Sequence, residues 1–406
     1  MTSSIRAHGA SAPATRHRIG FWIIALAFTS VMAYSTVPTP LYSLYEKADG
    51  FPPSTVTFIF SAYAVGVVAS LYLAGHVSDW LGRRRIVLIA VLIEVVAAAL
   101  FLFWPELTGL LIARFVNGVG VGILTATATA HLSELRAVAL PKENASFANT
   151  VAGIANLGGL GLGPLIGGLF AEFLPNPLQL PHLVFLVLFA VAAAALIFVP
   201  ETVECEEIRH AYRPQRVSIP AASRSTFFAA GTAAFTAFAV FGLFTSLAPT
   251  FLVVTLGEPD HLVAGAVSFS VFAAACISQV LFRDASVRRQ LRTTAALLPV
   301  GLGGLAVGAS LSSLAVFVAS GAVTGAGVGL LFRSALATAG SMADPNARGE
   351  SLAAIFLIAY AGLCLPVLLI GGALTFATPL AVLISFVVLV LAAVLFAIQR
   401  MLRQYK

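Results

Sequence analysis

The chain has 406 residues, 59% of them hydrophobic and 10% charged, with a formal net charge of +6. Soluble domains carry about 25% charged residues, so a water-soluble globule is excluded. The positive charge lies in short clusters between apolar runs, without the interleaved basic and aromatic surface that a nucleic-acid partner needs. What remains is an all-α membrane protein in a lipid bilayer.

A helix needs about 20 apolar residues to cross the hydrocarbon core. The sequence predicts twelve such spans, at about 20–45, 54–77, 86–104, 107–132, 146–173, 182–200, 225–256, 262–282, 291–310, 312–340, 350–374 and 377–398. The stretch after Arg6, Arg16 and Arg18 runs on through Pro38 and Pro40 without a small-residue cleavage site. It reads as a retained first helix and not as a signal peptide. Residues 201–224 form the longer polar link, rich in Glu and Arg, between an N-terminal six-helix bundle (1–200) and a C-terminal one (225–406). With both termini cytoplasmic, twenty of the 23 lysines and arginines fall on the inner side, Lys47 outside, and Arg114 and Arg333 within spans. The positive-inside rule thus predicts a multi-pass plasma (inner) membrane protein with both termini cytoplasmic.

The first span ends in Tyr34-Ser-Thr-Val-Pro-Thr-Pro-Leu-Tyr42. After the second comes the densest charge in the chain, Gly75-His-Val-Ser-Asp79-Trp-Leu-Gly82-Arg83-Arg84-Arg85. Its glycines suit a tight turn. Asp79 with Arg83, and Glu134 at the inner end of the fourth span, can form a charge cluster that locks helices together and breaks as the halves rock. Glu94 lies midway along the third span and Arg114 inside the fourth. At about 1.5 Å per residue the two sit at similar depth, so adjacent antiparallel helices can pair them. A buried carboxylate beside a cation is poised to take up a proton. The pair Glu94–Arg114 is therefore the expected proton-sensitive site, with Asp79 as a further candidate.

The fifth span carries Gly159-x-x-x-Gly163-Pro164-x-x-Gly167-Gly168. Glycines four residues apart line one helix face and allow close approach, while Pro164 removes a backbone bond. Tyr34, Asn117, Asn149 and Asn156 are the polar groups expected to line a substrate cavity. Of the 30 phenylalanines, among them Phe235, Phe238, Phe241 and Phe244 at three-residue spacing in the seventh span, most are expected to face lipid and a few to line an apolar binding cavity. Arg333, late in the tenth, is read as snorkelling to the inner surface.

The halves echo each other. Val37-Pro-Thr-Pro-Leu41 resembles Ala248-Pro-Thr-Phe-Leu252, Asn117-Gly-Val-Gly-Val-Gly122 resembles Thr324-Gly-Ala-Gly-Val-Gly329, and Ile166-Gly-Gly168 recurs as Ile370-Gly-Gly372. These ordered matches at offsets of 211, 207 and 204 residues predict a parallel duplication about an axis along the membrane normal.

The residues Gly75, Asp79, Gly82, Arg83 and Arg84 resemble the G-x-x-x-D-x-x-G-R-R/K loop of major facilitator superfamily transporters. Leu110-x-x-x-Arg114-x-x-Asn117-Gly118 resembles the L-x-x-x-R-x-x-Q-G motif of the proton-coupled members, with Asn in place of Gln. The fifth-span run is similar to their antiporter motif at every position, and the first-span P-x-P resembles that of drug exporters. The resemblance to the drug:proton antiporter family implies two six-helix bundles around one site, and Arg114 in proton coupling. The implied function is efflux of small hydrophobic or amphipathic compounds against protons, by a monomer. The alternative is a proton-coupled importer of a sugar, organic acid or other small metabolite.

An enzyme is not expected. Seven histidines show no ligand spacing and fall in tails, loops and span ends, and three cysteines are scattered. No phosphate-binding loop exists. No metal or cofactor is expected.

Overall fold

The computed structural model describes residues 11–51, 54–75, 77–143, 145–203, 224–342 and 348–405, and no strand occurs among them. The first span is broken where Pro38 and Pro40 withhold backbone donors. Helix α1 (Ser11–Tyr34) gives way to a 3-10 turn (Thr39–Leu41) before α2 (Tyr42–Asp49). Then follow α3 (Ser54–Ala74), the single turn α4 (Ser78–Leu81), α5 (Arg83–Phe103) and α6 (Leu107–Ala139). Helix α7 (Ser146–Gly153) passes through a π segment (Ile154–Gly158) into α8 (Gly159–Phe173), and α9 (Leu180–Leu196) follows. Beyond the link come α10 (Arg224–Gly242), a second π segment (Leu243–Leu247) and α11 (Ala248–Leu256). The chain continues with α12 (His261–Leu281), α13 (Val287–Ser310), α14 (Leu314–Met342), α15 (Arg348–Ala373) and α16 (Pro379–Gln404).

Eleven helical stretches among the described residues are long and apolar enough to cross a membrane, and α9 is a shorter apolar helix of 17 residues. At about 1.5 Å per residue, α9 spans roughly 26 Å and not the expected 182–200. It ends early because Arg84 Nη1 donates to the carbonyls of Ile197 and Val199 (both 3.3 Å), which draws that segment onto α5. Helix α6 runs past the expected 132 to Ala139, and α13 starts at Val287, where Ser286 caps it by accepting from the Arg289 amide. Most of the 201–224 link lies outside the described residues, but its first residues pack on the first half.

The repeat is visible in the packing. Helix α6 lies against α1, α3 and α5, and α14 against α10, α12 and α13. A Cβ on Gly118 of α6 would run into the Tyr63 carbonyl of α3, and one on Gly325 of α14 into the Val271 carbonyl of α12. Gly122 and Gly329 repeat the relation one turn later, against the carbonyls of Val67 and Ala275. The third pair differs in chemistry. Gly120 makes room for the Glu94 carboxylate on α5, whereas Gly327 faces the Leu298 side chain on α13.

Three of the seventh-span phenylalanines depart from the lipid-facing reading. Phe238, Phe241 and Phe244 are fully buried. Phe241 stacks on Phe272 (4.5 Å between ring centres, 18° between planes), and Phe238 lies 4.8 Å from Phe332 and 5.3 Å from Tyr360. Three-residue spacing keeps such rings on one helix face, and here that face is the core.

Candidate functional site

Glu94, Asn117 and Arg114 are all fully buried and form one cluster. Asn117 Nδ2 donates to Glu94 Oε2 (2.7 Å), and Arg114 Nη1 donates to Asn117 Oδ1 (3.3 Å) and to the Ser35 carbonyl (2.6 Å). That carbonyl is available because the α1 helix has broken at Tyr34. The expected Glu94–Arg114 pair is thus brought together, but through Asn117 and with no direct ion pair among the described residues. The guanidinium lies over the Tyr63 ring at 4.6 Å. Arg114 Nε and Nη2 and Glu94 Oε1 have no hydrogen-bond partner. Such groups are costly in a low-dielectric interior and leave room for a proton on the carboxylate.

Neither Asn117 nor Tyr34 lines the cavity described below. Tyr34 sits among Phe101, Phe185 and Phe189, and its hydroxyl meets His182 Nδ1 at 2.9 Å. His182 Nε2 meets the Tyr45 hydroxyl at 3.1 Å, and the imidazole stacks on Phe101 at 4.6 Å. His182, read from the sequence as a span-end residue, is fully buried. Nothing in its local sequence marked it, because its partners are 137 and 148 residues away.

The 75–85 loop forms the predicted charge cluster. Gly82 adopts φ 98°, a conformation that favours glycine, and Gly75 closes the end of α3 on the Leu71 carbonyl (3.1 Å). Arg83 Nη1 pairs with Asp79 (2.5 Å) and donates to Ser78 Oγ (2.7 Å), while Nη2 pairs with Glu134 (3.1 Å). Glu201, which sequence reading assigned to the link, accepts from the backbone amides of Arg83 (2.8 Å) and Arg84 (3.1 Å). Its carboxylate satisfies the open donors at the start of α5. Among the described residues the partners of Arg83 and Glu201 lie within residues 78–203, so these contacts clamp the first half. Just beyond, Arg136 hydrogen-bonds Glu143 (2.9 Å) and lowers its carboxyl below the usual range. Asp79 is half exposed, so Asp79→Asn is expected to cost at most about 1 kcal/mol. Arg83→Ala, which frees three partners, should lower the unfolding midpoint further. Thermal unfolding in detergent gives the order.

The fifth-span motif is used on both faces of α8. Toward α1, added Cβ atoms would strike the Thr29 carbonyl from Gly159 (2.7 Å), the Ala33 carbonyl from Gly163 and the Val37 carbonyl from Gly167. Toward α12, Gly168 meets the His261 carbonyl (2.5 Å), and Gly265 approaches the Pro164 carbonyl. Close by, His261 Nε2 meets Ser43 Oγ (3.0 Å) and Nδ1 lies 3.7 Å from Glu172. The two halves are thus in contact at the end away from the 75–85 loop.

Toward the arginine-rich end lies a cavity of about 190 Å³ between α6, α7, the first π segment, α12, α14 and α15. Asn149 and Asn156 line it, joined by Gln279, Phe332, Arg333 and Phe356. Arg333 donates to the Arg283 carbonyl (3.1 Å), on the loop between α12 and α13, and to Thr150 Oγ1 (3.4 Å), and it borders the cavity. Among the described residues no group of His, Cys, Asp and Glu is placed to hold a metal ion.

This architecture has known counterparts. The chain matches an uncharacterized transporter of Rickettsia bellii at 30% identity over 109 residues, 26% of either chain. It matches the arabinose-proton symporter of Bacillus subtilis at 28% over 94 residues, 23% of this chain and 19% of the symporter. These matches span 26% and 19% of the relatives' length. The crystal structure of the human organic anion transporter MFSD10 (TETRAN) superposes with a TM-score of 0.71 at 17% identity, covering 94% of this chain and 99% of that one. The sequence profile of the Major Facilitator Superfamily matches residues 21–366. Together with the repeated glycine crossings, that match places this multi-pass helical chain in the Major Facilitator Superfamily, a family of transporters and not of enzymes.

Proposed function

We propose that the protein is a proton-coupled secondary transporter that exports small hydrophobic or amphipathic compounds by alternating access. Twelve spans form two six-helix bundles, residues 1–200 and 225–406, with the arginine-rich loops and both termini cytoplasmic in the plasma membrane, and the chain works as a monomer. The observation that carries the reading is the difference between its two ends. At one, α8 is packed on α12 through Gly168 and Gly265, and at the other a polar-lined cavity separates the same halves. A site closed toward one face and hollow toward the other is one state of an alternating-access cycle. The buried Glu94–Asn117–Arg114 cluster supplies the proton-binding group. Export is favoured by the complete glycine-proline face of α8.

Proteoliposomes holding a pH-sensitive dye test this. With an imposed proton gradient, a panel of lipophilic compounds, sugars and organic acids is added to wild type and to Glu94→Gln. Proton movement opposite to a lipophilic compound, lost in Glu94→Gln, is the expected result. Proton movement in the direction of a polar metabolite establishes the second reading, a proton-coupled importer, which the partial likeness to the arabinose-proton symporter favours.

A further inference from the structure

We propose that the cavity takes a small amphipathic organic anion, with Arg333 holding its charge. This inference names a substrate class for the transport reading and rests on it. Three observations carry it. First, Arg333 is a cation facing the cavity, and none of the described residues lining it is acidic. Among the described residues its hydrogen-bond partners are neutral, the Arg283 carbonyl and Thr150 Oγ1, and the one acid that acts on it, Asp284 on the loop it reaches, is itself paired with Arg283 at 3.0 Å. An arginine within a span needs a counter-charge or water, and a guanidinium binds a carboxylate or sulfonate through charge-assisted, often bidentate hydrogen bonds.

Second, Asn156 also lines the cavity at 3% exposure, and its Oδ1 has no hydrogen-bond partner. The oxygen is closed off from the open cavity space, and a turn of the amide would present it to a polar group there. With Asn149 and Gln279 it provides amides that complement the polar part of a ligand. Third, Phe332 and Phe356 form an aromatic wall, with ring centres 5.8 Å apart. A charged anchor, neutral amides and an apolar wall together select an amphipathic anion and repel a cation. The volume, below the roughly 300–1,000 Å³ of drug-sized pockets, restricts the cargo to one or two rings.

The test is equilibrium binding without any gradient, on the full chain in phosphatidylcholine nanodiscs. The probes are radiolabelled 2-naphthoate, 2-naphthamide and 2-naphthylmethylammonium, which share a ring system and differ in charge. Wild type is expected to bind 2-naphthoate at least tenfold more tightly than the amide and to bind the ammonium compound most weakly. Arg333→Gln should bring 2-naphthoate to the level of the amide and leave the amide unchanged. Should that variant fail to fold, Gln279→Glu places a carboxylate in the same wall and is expected to weaken 2-naphthoate at least tenfold. The inference is overturned if the ammonium compound binds best, if the naphthoate preference survives in folded Arg333→Gln, or if folded wild type binds no naphthoate. Phosphatidylglycerol added to the nanodiscs is expected to leave binding unchanged, and competition by it would reassign the site to an anionic lipid headgroup. Since no proton flux enters this measurement, its failure leaves the transport reading standing, and failure of the liposome assay leaves this one.

Discussion

Arg114→Met is expected to abolish proton-coupled flux and to destabilise the protein by about 3–5 kcal/mol, the usual effect of removing one partner from a buried charged set. The cause is what remains behind. Glu94 and Asn117 stay fully buried, and the Asn117 amide oxygen and the Ser35 carbonyl lose their donor. The decisive experiment is the double variant Arg114→Met with Glu94→Leu. Leucine is what the second half carries at the matching place, Leu298 against Gly327. Apolar replacement of both buried charges is often neutral or stabilising, so the double variant should regain part of the lost unfolding midpoint, less what the unpaired Asn117 amide costs. It should remain without proton coupling. If the double variant recovers flux as well as stability, the cluster is only a packing device and the proton binds elsewhere.

Gly163→Val should be nearly as damaging by a different route. The position faces the Ala33 carbonyl and Thr36 Oγ1 on α1, and any Cβ there lies too close to backbone that cannot give way. Thr36 also donates to the Leu160 carbonyl (2.9 Å), which ties the broken end of α1 to α8. Overpacking of this kind costs about 1–3 kcal/mol, and the crossing of α1 and α8 must spread. Flux in liposomes should fall to background, with a lowered unfolding midpoint in detergent. Gly303→Ala is the control, since nothing lies within 4 Å of its added Cβ, and both measurements should match wild type.

How much of this was legible beforehand depends on the range of the interaction. Span positions followed from apolar length, because a bilayer demands it, and the repeat followed from glycine order, because a crossing helix needs a small residue at each turn. Arg114 and Glu94 stood out as charges in apolar runs. Their bridging by Asn117 was hidden, because it depends on the rotation of α5 about α6 and not on depth. The same holds for His182, whose two tyrosine partners come from the two sides of the α1 break, and for Glu201, which caps a helix more than a hundred residues earlier. Tyr34 was misplaced because a polar tip on an otherwise apolar helix looks alike whether it faces a cavity or a buried histidine. Arg333 was read as an end-of-helix residue, and its place beside a cavity was hidden because its Thr150 partner lies 183 residues earlier.

Glu94 is the one fully buried carboxylate among the described residues, and its counterpart in the duplicated half is a leucine. In thermodynamic terms, this caps the charge that the cluster can carry at one proton in each cycle. A potential of 100 mV then supplies about 2.3 kcal/mol per turnover, which sustains a roughly fiftyfold concentration ratio for a neutral cargo. For a singly charged anion leaving as the proton enters, two elementary charges cross in the same electrical sense. The same membrane voltage then contributes twice the free energy per turnover.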